Sequence, residues 1–538
     1  MIKNPILPGC YPDPSICRVE DDFYLVTSSF SFFPGVPIFH STDLVHWQQI
    51  GHVLDRASQL PLNPGYISGG IYAPTIRYHK GTFYMITTNA SYGGNFIVTA
   101  ESPSGPWSEP HWLENAEGID PSLFWDDDGR AYYAGNTVNS DNKPMIWISE
   151  IDLKEFRLAG EKKHVWGGAL KNCSCPESPH MYKKDGWYYL MISEGGTEFY
   201  HAVAIARSRS IFGPYEGCPG NPILTHRHLG MYYPICNIGH ADLVELKDGS
   251  WYMVMLGSRI YGGYHKNMGR ETFIAPVIWE NDWPVVSPGA GRVEGSYPAP
   301  NLPEMPVTSP PVRDDFDKET LDFQWNFLGT PVNEVYKLEG SNLKLRAIDK
   351  SICPQDGEAL GETFKPVQAL SFVGRRQQHM GYTVRACMAF TPGAERESAG
   401  LIILQNSYHS IRAEIIMENG RRMLRVVKGY IQLEPRLLHS YPPETSEYRQ
   451  EICGQTEWNY ERVTLVLRAE NQSNSFYAAD DTGREHIIAE NIDGGFLGSE
   501  TSGGFIGAYI GMFASGNGRD TGNYAEFDWF EYEGREDA

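Results

Sequence analysis

The sequence predicts an all-β protein, a five-bladed β-propeller followed by a β-sandwich. Three observations carry this. A short motif recurs five times in the first half of the 538-residue chain, alternating strands continue after the repeat has stopped, and neither half shows sustained helical periodicity.

The five copies pair a short apolar segment with a turn and an aromatic strand. They are Asp13-Pro14-Ser15-Ile16 leading to Asp22-Phe23-Tyr24-Leu25, Ala73-Pro74-Thr75-Ile76 to Gly81-Thr82-Phe83-Tyr84, and Asp120-Pro121-Ser122-Leu123 to Asp128-Gly129-Arg130-Ala131-Tyr132. Ser178-Pro179-His180-Met181 to Asp185-Gly186-Trp187-Tyr188 and Ala241-Asp242-Leu243-Val244 to Asp248-Gly249-Ser250-Trp251 complete the set. A period of roughly 45–65 residues, with several short strands per unit joined by Asp-Gly-type turns, specifies propeller blades. Outer parts of blades leave traces at His40–Trp47, Ala100–Trp107 and Ala206–Tyr215.

The repeat predicts a propeller over residues 1–297. A Pro-rich passage, Pro298 through Pro311, suits a semi-rigid connector over 298–312. From residue 313 to 538, stretches such as Leu343-Lys344-Leu345-Arg346 and Arg462-Val463-Thr464-Leu465-Val466-Leu467 put apolar side chains on one face, as packed antiparallel sheets require. A chain of this length exceeds one ordinary core, which agrees with two domains.

Composition excludes several functions. The net charge of −22 opposes nucleic-acid binding, which needs clustered Lys and Arg. No run of about 18 apolar residues exists to span a membrane, and Met1 to Pro8 lacks a signal-peptide core, so a cytoplasmic protein is expected. The nine cysteines are odd in number and scattered, and Cys173-Ser174-Cys175 lacks the spacing of a zinc pair, so reduced thiols are expected. Asp126-Asp127-Asp128-Gly129 lacks the remaining ligands of a calcium loop and reads as a hairpin turn.

Radial stacking carries the same position of every blade to one axis, so acids far apart in sequence meet. The first, third and fourth copies bring Asp13, Asp120 and Glu177, and the fifth brings His240 and Asp242. Buried charges cost several kcal/mol unless they are paired or used, so this convergence reads as an active site. Hydrolysis of a glycosidic bond needs a protonated acid beside the leaving oxygen and a carboxylate on the opposite face of the sugar. The trio Asp13, Asp120 and Glu177 can supply both. Among the aromatics, Phe30, Phe32, Phe33 and Tyr72 are candidates for a sugar subsite, and Phe32 and Tyr72 are the two advanced.

At these residues the chain resembles glycoside hydrolase family 43. The resemblance rests on Asn4-Pro5-Ile6-Leu7, Tyr11-Pro12-Asp13-Pro14-Ser15, Phe32-Phe33-Pro34-Gly35-Val36 and Gly118-Ile119-Asp120-Pro121-Ser122. It continues through Pro176-Glu177-Ser178-Pro179-His180, Gly239-His240-Ala241-Asp242 and Gly269-Arg270-Glu271-Thr272, over essentially the whole chain. The match is to the β-xylosidase and α-L-arabinofuranosidase branch, whose second domain is a concanavalin-like sandwich. The resemblance implies an inverting exo-glycosidase with Asp13 as general base, Glu177 as general acid, and Asp120 orienting the acid and raising its pKa. Arg270 is implied to bind sugar hydroxyls and keep Asp13 ionised. It also implies that Phe505, in Gly503-Gly504-Phe505-Ile506-Gly507, closes the pocket from the sandwich.

His240 is implied to lie beneath the sugar, where relatives place a calcium ion or a water cluster; a hydrogen-bonded core histidine is an equal reading, and no cofactor is required. Two positions depart from the family pattern: Ser178 replaces a Gly, and Tyr72 replaces a Trp.

The expected substrate is a xylo-oligosaccharide or an arabinose-substituted oligosaccharide. The resemblance implies release of terminal β-1,4-linked xylose, with α-L-arabinofuranosides cleaved in the same site. A dedicated α-L-arabinofuranosidase is the alternative, and a non-catalytic carbohydrate-binding propeller is the more distant one. A retaining fructan-cleaving propeller would carry Asn-Asp-Pro-Asn where this chain has Pro12-Asp13-Pro14-Ser15. A homo-oligomer is compatible with the sequence.

Overall fold

The computed structural model describes residues 1–62, 67–170, 174–306, 310–331, 334–354, 370–431 and 447–535. Cys173 and residues 307–309 of the expected connector lie outside them. Five antiparallel sheets form the blades, and each begins with an inner strand that contains or continues a repeat motif. The inner strands are Ser15–Val19, Thr75–His79, Ser122–Trp125, Glu177–Lys184 and Ile235–Glu245. Ile2–Lys3 pairs with Ser296–Tyr297, so the two ends of the propeller chain lie side by side.

The axis is tied by one buried charge network. Asp242 of the fifth blade accepts hydrogen bonds from Arg77 of the second at 2.8 and 3.1 Å, Tyr182 of the fourth at 2.6 Å and Ser15 of the first at 2.7 Å. Burial opposes the charge on Asp242, but Arg77, His180 and the Tyr182 hydroxyl together outweigh it and hold the carboxyl well below the usual range. Asp242 therefore closes the ring and does not join the acids of the pocket. Removing one member of a buried pair leaves the other uncompensated, at about 3–5 kcal/mol. Asp242→Ala is expected to lower the thermal midpoint by several degrees, and an unchanged midpoint would remove the network from the account of ring closure.

Backbone conformation also shifts the fifth copy by one residue. Asp13, Asp120 and Ser178 have φ of 57°, 54° and 57°, and the matching left-handed residue in the fifth blade is His240 at 44°. His240, not Ala241, is the counterpart of Asp13. That places Asp242 level with Ser15, where it meets the axis. The Asp126–Gly129 segment is a hairpin turn, with Gly129 at φ 86° and the Gly129 N–H donating to the Asp126 carbonyl at 2.9 Å.

The second domain packs two eight-stranded antiparallel sheets around a core that includes Trp325, Trp458, Phe476 and Phe527. One sheet does not end within its own domain. Phe32 and Phe33 leave the first blade and pair with Leu328 and Phe327, adding an edge strand donated by the propeller. Phe32 is consequently buried, with its ring stacked 3.8 Å from Tyr509. Helix among the described residues is limited to a 3-10 turn, Gly495–Leu497, and the one-turn helix Ser499–Ser502. No helix among them is long and apolar enough to cross a membrane. None of the eight described cysteines is in a disulfide.

Candidate active site

The loops that lead into the inner strands converge on a cavity of about 100 Å3 at the axis. This is small beside the roughly 300–1,000 Å3 of drug-sized ligand sites, and suits one sugar ring better than a stretch of chain. Asp13, Asp120 and Glu177 all line it, with His240, Arg270, Tyr72 and Phe505. Asp13 and Asp120 hold left-handed backbone conformations that non-glycine residues adopt at a cost, a frequent feature of residues held in place for function. Ser178 shares that conformation, so the hydroxymethyl group stands where the family's usual Gly would be unstrained.

Asp13 is fixed from both sides. Its Oδ2 accepts from the Ser28 hydroxyl at 2.5 Å and its Oδ1 from Arg270 Nη1 at 2.6 Å, with His240 Nδ1 3.6 Å from the same oxygen. Burial pushes the Asp13 pKa up, but the Arg270 guanidinium above all, with the Ser28 hydroxyl, brings it below the ordinary value. The other two acids move the opposite way. Burial first, then the charge of Asp13, push Glu177 up to about 7. Burial, Glu177 and Asp13 push Asp120 well above its ordinary value. The charge common to both shifts is that of Asp13. Burial lowers the pKa of His240, and that of His201 to about 3, so both rings are neutral at pH 7.

Arg270 also donates to Thr197 Oγ1 at 3.0 Å and to the Phe505 carbonyl at 3.2 Å, while its Nε has no hydrogen-bond partner among the described residues. Phe505 reaches the cavity because its loop docks on the propeller backbone. A Cβ on Gly507 would lie 2.3 Å from the Met268 carbonyl oxygen, and one on Gly269 would lie 2.7 Å from the Gly507 backbone, so both positions need glycine. Phe505 N–H donates to Ser68 Oγ at 2.9 Å, and the ring meets Tyr72 with centroids 6.1 Å apart.

One advanced aromatic is displaced. Phe32 faces Tyr509 inside the interface between the domains, and Phe30, two residues earlier, takes the wall of the cavity with its ring 6.0 Å from Tyr72. Sequence reasoning missed Thr197 and His201. Both lie in the irregular stretch between Trp187–Glu194 and Ala202–Ser208, outside any repeat position. His201 donates through Nδ1 to the Asn237 carbonyl at 2.9 Å, assigned by its partner, and packs over Gly239.

Calcium takes six to eight oxygen ligands, whereas around His240 one carboxylate already paired with Arg270 faces two neutral imidazoles. Among the described residues no group of three or more His, Cys, Asp or Glu side chains is placed to hold a metal.

Residues 2–284 match the model of glycosyl hydrolases family 43, and residues 313–533 that of the beta xylosidase C-terminal concanavalin A-like domain. The chain is 44% identical to a xylosidase/arabinosidase of Butyrivibrio fibrisolvens, over 99% of both chains, and 40% identical to a non-reducing end alpha-L-arabinofuranosidase of Bacteroides ovatus, over 98% of this chain and 94% of that one. The crystal structure of a xylan beta-1,4-xylosidase from Bacillus halodurans superposes with a TM-score of 0.89 at 34% identity, covering 99% of this chain and all of the other. With three acids gathered in one small pocket, propeller and sandwich matched in order, and relatives aligned over nearly the full length, the chain belongs to glycosyl hydrolases family 43.

Proposed function

We propose that this glycosidase releases terminal β-1,4-linked xylose from xylo-oligosaccharides with inversion, and cleaves α-L-arabinofuranosides in the same pocket. The observation that carries the mechanism is the opposed tuning of two carboxyls in one cavity, Asp13 held ionised and Glu177 raised to about 7. Environments that push two acids apart assign the base and the acid. Asp13 takes the proton of a water that attacks the anomeric carbon, and Glu177 delivers its proton to the leaving oxygen. Asp120, its pKa raised by burial, Glu177 and Asp13, orients Glu177. Arg270 holds Asp13 ionised and lines the pocket beside the sugar hydroxyls, and neutral His240 borders the ring.

A water must fit between base and sugar, so the two carboxyl groups are expected roughly 6.5–9.5 Å apart, against about 5 Å for a retaining enzyme. Proton NMR of the first sugar released from an aryl β-xyloside is expected to show the α-anomer. A β-anomer as first product would make Asp13 a nucleophile and end the inverting assignment.

The dual specificity is supported by relatives named for both activities and by the similar hydroxyls that xylopyranose and arabinofuranose can present. Comparing kcat/KM on aryl β-xyloside and aryl α-L-arabinofuranoside tests it: turnover of both supports the shared pocket, and turnover of the arabinofuranoside alone selects the dedicated alternative. Phe505 and Tyr72 narrow the cavity to a single terminal residue. Phe505→Ala is expected to raise KM by about tenfold and to allow attack within longer xylo-oligosaccharides. Unchanged kinetics and unchanged products would remove Phe505 from the site.

A further inference from the structure

The sandwich has a second cavity, and strand alternation explains how it arises. In Ser398–Asn406, His409–Glu418 and Arg421–Ile431, the residues Leu401, Ile411, Ala413, Leu424 and Val426 point into the sandwich core. Their neighbours Ser398, Gly400, Arg412, Glu414 and Arg425 stand on the opposite face. Gly400 is in register with Glu414, and a Cβ there would lie 1.9 Å from the Ala413 carbonyl oxygen. With glycine and serine on one strand beside arginine and glutamate on the next two, the sheet leaves a polar hollow of about 320 Å3. It shares no lining residue with the catalytic pocket.

The floor of this hollow is incompletely paired. Glu414 is 2% exposed and accepts from Arg412 Nε at 3.2 Å and Arg425 Nε at 2.8 Å, so two guanidinium groups share one carboxylate. Arg412 is 6% exposed; its Nη2 donates to Gln450 at 3.2 Å, and its Nη1 has no hydrogen-bond partner among the described residues. The buried Tyr448 hydroxyl lies beside Arg412 and Cys353. Buried donors of this kind cost free energy unless something answers them.

Glu395, Arg396 and Glu418 complete the lining, with Glu418 3.7 Å from Arg425 Nη1, so the hollow holds three arginines against three glutamates. An anion would meet the carboxylates and a cation the guanidinium groups. A neutral polyol can use both, because each hydroxyl donates and accepts.

We propose that this hollow is a second, non-catalytic site for a short neutral sugar, a pentose mono- or disaccharide. Its volume lies at the small end of the range for small-molecule sites, enough for one or two rings. The pentose identity rests on the proposed pentosidase activity, while the neutral, hydroxyl-rich character rests on the hollow itself. The site holds substrate or product on the sandwich without contributing to bond cleavage.

Calorimetric titration of the full-length Glu177→Gln protein with xylobiose is the test. Two sites per chain are expected. Adding Arg412→Met or Gln450→Leu is expected to weaken one of them at least about tenfold, the scale of one lost charge-assisted hydrogen bond. On the otherwise unaltered enzyme both changes leave kcat/KM for an aryl xyloside within about twofold, as expected for distant, independent sites. Gln450→Leu keeps the ion pairs of Glu414 and so decides the matter should Arg412→Met fail to fold. One site per chain, a second site untouched by either change, or a site that takes inorganic phosphate in place of xylobiose would overturn the proposal. Failure of the pentosidase reading would show separately, as a parent enzyme that turns over neither aryl pentoside.

Discussion

Glu177→Ala is expected to lower kcat/KM on xylobiose by about 10²–10⁴-fold, the usual contribution of a positioned general acid. The loss should nearly vanish on an aryl xyloside whose phenol departs without protonation. A xylose alkoxide cannot leave unaided, whereas an acidic phenolate can, so dependence on the leaving group identifies the proton donor. Equal losses on both substrates would mean that Glu177 does something other than donate.

The pH profile gives an independent reading of the same residue. Glu177 must be protonated and Asp13 ionised, so activity falls as pH rises through about 7, the value to which burial and Asp13 push Glu177. This descending limb should disappear in the alanine variant. Stability follows with the same sign. A carboxyl whose pKa is raised on folding binds its proton more tightly in the native state, so stability is full below its unfolded pKa of about 4.3 and declines as pH rises towards 7. Glu177→Gln removes that decline, and at pH 8 its thermal midpoint is expected to exceed the parent's.

The blades were legible because every one must repeat the same pairing of strands, and the turns that join them need Asp and Gly at fixed places. Asp13 and Asp120 were legible for a related reason: the ring repeats their position and their left-handed backbone. The fifth copy was read one residue out of step because it lacks the proline that marks the others, and only φ at His240 restores the alignment.

Phe32 could not be placed from local pattern. Its strand pairs with Asn326–Leu328, nearly three hundred residues later, and an alternation of aromatics does not say which domain they face. Thr197 and His201 lie on a loop with no periodicity, and their importance arises only from what Arg270 and the Asn237 carbonyl make of them. Phe505 was legible through its flanking glycines, which the close approach to Met268 and Gly269 requires. The hollow beside Arg412 left no such trace, because charged residues alternating with apolar ones read as an ordinary solvated sheet face.

Asp13→Asn should lower kcat/KM by at least about 10²–10⁴-fold on every substrate, whatever the leaving group. Activation of water is needed whether the departing oxygen is a sugar alkoxide or a phenolate, so substrate choice cannot rescue this variant as it rescues Glu177→Ala. Asparagine keeps Oδ1 to accept from Arg270, which now bonds it at 2.6 Å, and its Nδ2 can donate to the Ser28 hydroxyl that now donates to Oδ2 at 2.5 Å, so the site geometry is largely preserved while the charge is lost. A second effect separates an electrostatic role from a merely structural one. The Asp13 charge contributes to the raised pKa of both Glu177 and Asp120, so the descending limb of the residual activity should move below pH 7. A loss that tracked leaving-group acidity, or a limb that stayed at 7, would place Asp13 away from the water and away from Glu177. The opposed tuning of the two acids would then need another source.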